Sequence, residues 1–132
     1  MSVAVDASAL VAILLDEPES IDFSRFLLTT PGAVVSPINY WEAAVRMHGL
    51  HGDRGLADLD RLIAKFGLKI TSVTEATARS AVTAQSRYGK RTSAKLNLGD
   101  CFAYALAKEL DAPLLFKGDD FARTDIRPAV TG

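Results

Sequence analysis

Four short apolar runs, residues 2–5, 33–36, 68–70 and 113–116, set the frame for this chain. Each reads as a strand, and the stretches between them are too long for hairpins and carry apolar residues at helical spacing. From Ala7 the pattern turns helical through Leu15, and Pro18 marks a second start that carries Ile21, Phe26 and Leu27 toward Thr30-Pro31-Gly32. Ser36 then reads as a helix cap with Pro37 as the first helical residue, where the missing N–H costs nothing. That helix carries Tyr40, Trp41, Glu42 and Met47 and is expected to stop near Gly49. Leu56, Leu59, Leu62 and Ile63 mark another helix over 53–65, and a further one runs from Thr74 to about Tyr88. A basic, polar loop spans 89–96, and a last helix is expected from Cys101 to Leu110. Strands alternating with helices in this way predict an α/β fold with a mainly parallel central sheet of four or five strands flanked by helices. At 132 residues the chain is expected to be one domain, 1–132, long enough to bury one real core.

Composition excludes several functions. No apolar run approaches the ~18 residues of a membrane span, and the run from Ala7 stops at Asp16 and Glu17 without the basic leader of an export signal. Cys101 is the only cysteine, which rules out an internal disulfide and a thiolate zinc cluster and fits a reducing, cytoplasmic setting. The net charge of −1 means that any nucleic-acid surface must be a local patch.

The carboxylates are informative through their placement. Asp6 lies at the carboxyl end of the first strand, and Asp119 and Asp120 lie just past that of the last. Glu42 falls in the first turns after the second strand, and Asp100 at the start of a helix. In open parallel sheets, sites form outside the carboxyl ends of the strands, so all these positions can converge there. Acids crowded together repel unless a cation neutralises them. Oxygen donors without His or Cys point to Mg²⁺, with Mn²⁺ as a substitute, and to phosphodiester hydrolysis. Each acid also has a plainer role: Asp6 as a helix cap shared with Ser8, Glu42 and Asp100 as complements to helix dipoles, Asp119 and Asp120 as turn residues.

The motifs resemble those of one family. Val5-Asp6-Ala7-Ser8-Ala9-Leu10 is similar to the opening strand of PIN domains, and Tyr40-Trp41-Glu42-Ala43-Ala44 to their glutamate-bearing helix. Leu96-Asn97-Leu98-Gly99-Asp100-Cys101-Phe102-Ala103 resembles the VapC stretch that carries the third acid, and 114–126 the family's closing segment. The resemblance covers essentially the whole chain in order. It implies a single PIN-like domain and a Mg²⁺-dependent endoribonuclease, the toxin of a VapBC toxin–antitoxin pair. It also implies roles: Asp6 and Asp100 as metal ligands, Glu42 as a third ligand or water-orienting group, and a fourth acid, Asp119 by preference with Asp120 in reserve. The implied partners are an RNA substrate, with tRNA and rRNA as the candidate classes, a VapB-type antitoxin lying across the site, and a second copy in a homodimer.

Other features carry less. Arg87, Lys90, Arg91 and Lys95, extended by Arg79, form a basic stretch before Asp100 that can guide phosphates, and Tyr88 beside it packs at a helix end. His48 and His51 lack further zinc ligands nearby, Cys101 reads as a small core residue, and Gly49, Gly52 and Gly55 follow no strand and precede no phosphate-loop lysine. The competing readings are a housekeeping PIN nuclease, a non-catalytic binding protein, and a phosphoacceptor module. The last wants paired acids after the first strand, where Asp6 stands alone.

Overall fold

The computed structural model describes residues 2–130, so the outermost residues of the expected domain, 1, 131 and 132, lie outside it. Four two-residue strands, β1 (Ala4–Val5), β2 (Val34–Val35), β3 (Lys69–Ile70) and β4 (Leu114–Leu115), form one parallel sheet in the order β3-β2-β1-β4. Six helices surround it: α1 (Ala7–Leu14), α2 (Ser20–Leu28), α3 (Pro37–His51), α4 (Asp53–Phe66), α5 (Glu75–Tyr88) and α6 (Leu98–Glu109). The chain builds outward from β1 to β3 on one side and then returns to place β4 on the other. Such a reversal of strand order opens a crevice at the carboxyl ends of the two strands that flank it, here β1 and β4.

Period-two alternation sorts the sheet residues onto two cores. Val3, Val5, Val35 and Leu115 pack with Leu10 of α1, Phe23 and Leu27 of α2, and Leu59, Leu62 and Phe66 of α4. Ala4 and Leu114 face α5 and α6, where Ala81, Ala84, Cys101, Ala103 and Leu106 fill the opposite layer. The small side chains along α6 let it lie against the sheet, and eight of its residues are buried.

The strands are shorter than the apolar runs that announce them, because only the central pairs keep ladder geometry before each chain turns into a helix. A fifth strand reduces to a single parallel bridge, Leu114 with Pro128. Arg127 O accepts from Leu114 N at 2.9 Å and Ala129 N donates to Leu114 O at 2.8 Å. Proline between them needs no donor of its own, which suits an edge position.

Two helix boundaries differ from the sequence pattern. Helix α3 runs through Gly49 to His51 and ends at Gly52, whose φ is +61°. Gly55 then lies so close to the Met47 carbonyl that a Cβ would overlap it, so these glycines build a tight corner between α3 and α4. Helix α6 starts at Leu98 rather than Cys101, because Asn97 and Asp100 form a capping box: Asp100 N donates to Asn97 Oδ1 at 2.8 Å and Asn97 N to Asp100 Oδ2 at 3.1 Å. No helix among the described residues is long and apolar enough to cross a membrane.

Candidate active site

Asp6 leaves β1 as the N-cap of α1. Its backbone N–H donates to Leu115 O at 2.9 Å, which fixes it at the β1–β4 crevice. Its Oδ2 accepts from Ser8 N at 3.0 Å and Ser8 Oγ at 2.6 Å, while Ser8 Oγ accepts from Lys117 N at 3.0 Å. One serine thus ties the first acid to the exit of β4. The other oxygen, Oδ1, is buried without a hydrogen-bond partner among the described residues. Burial pushes the Asp6 carboxyl up to about 6, against the Ser8 hydrogen bonds and with help from the charges of Glu42 and Asp120.

Asp100 repeats the arrangement at the start of α6. It is 8% exposed, its Oδ2 is engaged in the capping box, and its carboxyl is also pushed up to about 6. Burial is the main cause; the Asn97 N–H opposes it, Asp6 and Asp120 add to it, and Lys90 opposes it. Glu42 sits two turns into α3, half-buried. Its pKa is raised by burial, lowered by a hydrogen bond from Asn39 Nδ2 to Oε1 at 2.9 Å, and raised by Asp100. Its carboxylate rests on Gly99, where a Cβ would overlap both oxygens.

These dependences close on one another: Asp6 responds to Glu42 and Asp120, Asp100 to Asp6 and Asp120, and Glu42 to Asp100. Of the closing turn's two acids, Asp120 is the one whose charge bears on Asp6 and Asp100. Asp119, the first choice from sequence, lines a separate groove with Phe116, Lys117 and Phe121. Gly118, just before the two aspartates, has a φ of +99°. Next to the acids lies a cleft of about 490 Å³ lined by Ser8, Glu17, Glu42, Arg46, Lys117 and Gly118.

The PIN domain family profile matches residues 3–127. A "Ribonuclease VapC" of Mycolicibacterium smegmatis is 41% identical over 123 residues, 92% of this chain and 95% of that protein. The chain belongs to the VapC branch of the PIN-domain family. "Ribonuclease VapC42" of Mycobacterium tuberculosis is 40% identical over 129 residues, 96% of this chain and 98% of that one. Among solved structures, the chain shares its fold with M. tuberculosis VapC20, described as a Sarcin-Ricin loop cleaving toxin. The TM-score is 0.75 at 13% identity, over 94% of this chain and 95% of that one. VapBC2 from Rickettsia felis, solved with a DNA fragment from its promoter, gives a TM-score of 0.76 at 14% identity, over 97% and 96% of the two chains.

The site suits a hard divalent cation. Its donors are carboxylates, and the unpartnered Asp6 Oδ1 is a buried acceptor that a cation would satisfy. Among the described residues no three His, Cys, Asp or Glu side chains converge tightly enough to hold one ion.

The remaining VapC-like features fall into place. The closing Thr124-Asp125 pair is structural: Tyr104 donates to Asp125 Oδ1 at 2.6 Å, Lys108 Nζ lies 2.8 Å from Oδ2, and Thr124 Oγ1 donates to Phe121 O at 2.8 Å. Lys108 and Tyr104 together hold Asp125 down at about 2. Of the basic stretch, Arg79 pairs with Glu75 and Arg87 lies over the Tyr88 ring, whereas Lys90 is felt by Asp100. His48 lies 3.5 Å from Asp53 at the surface, and Cys101 is buried in the core with its thiol pushed up by burial. Asn39 and Arg46 escape a reading by residue type. Their signal is spacing alone, one turn before and one turn after Glu42 on the same helix.

Proposed function

We propose that this chain is a Mg²⁺-dependent endoribonuclease, with Mn²⁺ as a substitute, acting as the toxin of a VapBC-type pair. The observation that carries the reading is the pair of buried aspartates, Asp6 and Asp100. Each engages Oδ2 at a helix start, and each is pushed up to about 6 by burial, with anionic neighbours adding to it. An isolated pair of this kind costs stability, and a cation reverses that cost.

Asp6 and Asp100 are the ligands in this reading, with Asp120 completing the negative wall. A bound divalent cation supplies charge neutralisation and Lewis acidity at the scissile phosphate. Glu42, held by the Asn39 hydrogen bond, orients a water and accepts its proton in this reading. Ser8 locks the Asp6 rotamer to the β4 exit, so the two strand ends move as one. Arg46, on the cleft wall, and Lys90, beside Asp100, offer cations to the phosphates on either side.

The partners belong to the same reading: an RNA substrate, a VapB-type antitoxin and a second copy of the chain, all in the cytoplasm. Trp41, Val45 and Leu98 are exposed by 62%, 50% and 68%, apolar surface of the kind a protein partner covers. A structural neighbour from Klebsiella pneumoniae was solved as a toxin–antitoxin complex.

The test is incubation of the purified protein with total cellular RNA, with Mg²⁺ or with excess EDTA, beside an Asp6→Ala control. Discrete fragments are expected only with Mg²⁺ and active protein, with the variant down at least about a thousandfold. Equal cleavage by Asp6→Ala, or none by the folded wild type with Mg²⁺ or Mn²⁺, defeats the assignment.

A further inference from the structure

We infer that Asn39 is a positioning residue that sets Glu42 against Asp100, and that it acts on the reaction only through Glu42. This rests on the nuclease reading above. Asn39 is fully buried in α3. Its Nδ2 donates twice, to Glu42 Oε1 at 2.9 Å and to Gly99 O at 3.1 Å. Both partners are acceptors, so the amide has one satisfactory orientation: flipped, it would press Oδ1 against a carboxylate and a carbonyl.

That orientation leaves Asn39 Oδ1 buried without a donor among the described residues. Buried polar atoms are rarely left so, and an apolar side chain of the same size avoids the problem. Nor does the fold depend on these donors at a helix end, since α3 is capped by Ser36 and α6 by Asn97. What the two donors do together is geometric. One holds the acid of α3 and the other holds the residue next to Asp100, so a single side chain fixes the distance between the two acids. Gly99 removes the Cβ that would push Glu42 away, and Asn39 supplies the pull that keeps it there.

The experiment is a double-mutant cycle between Asn39 and Glu42. Asn39→Ala removes both donors without adding a charge; Asn39→Leu keeps the volume and loses the polarity. Each is made in the wild type and in Glu42→Gln. Cleavage of an RNA oligonucleotide with Mg²⁺ gives kcat and KM, Mn²⁺ affinity is read by paramagnetic resonance without substrate, and urea unfolding gives the folded fraction. The single Asn39 variants are expected to lose about 10–100-fold in kcat and to bind Mn²⁺ more weakly, with KM little changed. In the Glu42→Gln background the same changes are expected to alter neither quantity beyond about twofold.

Wild-type kcat and Mn²⁺ affinity per folded molecule in both Asn39 variants overturn the inference, as does an undiminished Asn39 effect once Glu42 is gone. If Asn39→Leu does not fold, Asn39→Ala decides. A wild type that cleaves no RNA defeats the nuclease reading instead, and the Mn²⁺ arm still reports on Asn39.

Discussion

The helix starts that carry Asp6 and Asp100 can be set beside the middle of α3, which carries Glu42. At the two starts the acid is held by backbone N–H groups: Ser8 N for Asp6, Asn97 N for Asp100. The helix needs those contacts anyway, so one carboxylate oxygen of each acid serves the fold. Glu42 has no such hold. A mid-helix side chain finds no free N–H groups, and its position comes from another side chain, Asn39, and from the space above Gly99. Acids fixed by capping are placed by the same forces that start the helix. An acid fixed from the side can be displaced while the fold stays intact.

Gly99→Ala presses hardest on that difference. The added methyl would overlap the Glu42 carboxylate, the free end of a half-buried side chain that can swing aside. Alanine also favours the helix over glycine by up to about 1 kcal/mol. The expected outcome is an unchanged or slightly raised unfolding midpoint with cleavage reduced about a hundredfold, since a shift of about 1 Å in a catalytic group costs that much. Wild-type activity in a folded Gly99→Ala protein would show that Glu42 works equally well out of place. Loss of folding would show that the glycine serves packing.

The same difference explains what could be read without coordinates. The α/β alternation, the Ser36-Pro37 helix start and the placing of Asp6 at the end of β1 follow from local chemistry, capping preference and strand-end position, all written in neighbouring residues. The start of α6 at Leu98 differs from the pattern because Asn97-Leu98-Gly99-Asp100 reads as a lead-in, with a glycine that disfavours helix, and the reciprocal capping box overrides it. Asn39 was not legible: an asparagine in a helix has no chemistry of its own, and its partners lie on two helices. The closing acid was ambiguous for a related reason. Adjacent aspartates after Gly118 are equivalent in sequence and part only in what they reach, Asp120 the buried acids and Asp119 the groove by Phe116 and Phe121.

That turn gives the next test. The charge of Asp120 reaches both buried aspartates, whereas Asp119 faces the groove by Phe116 and Phe121. Asp120→Asn is expected to lower cleavage by about tenfold or more, and Asp119→Asn to stay within about twofold, measured side by side on one substrate. The reverse order would return the fourth acid to Asp119 and place the closing turn outside the comparison with the helix starts.

The smallest effect tests whether capping and charge at the helix starts are separable. In the folded, metal-free chain Asp6 and Asp100 titrate near 6, against 3.8 unperturbed, so the folded state binds protons more tightly than the unfolded one. The stability this confers is complete below about pH 4 and is lost as the pH rises through about 6. Urea unfolding in EDTA should therefore show the protein more stable at pH 5 than at pH 7, by on the order of 1 kcal/mol per acid. Asp6→Asn keeps a good N-cap and removes the charge, so it should flatten the dependence and raise stability at pH 7. Saturating Mg²⁺ at pH 7 should stabilise the wild type and leave Asp6→Asn nearly unmoved. If Asp6→Asn instead loses stability at every pH, the Ser8 hydrogen bonds need the carboxylate charge itself. Cap and site would then be one function of a single group.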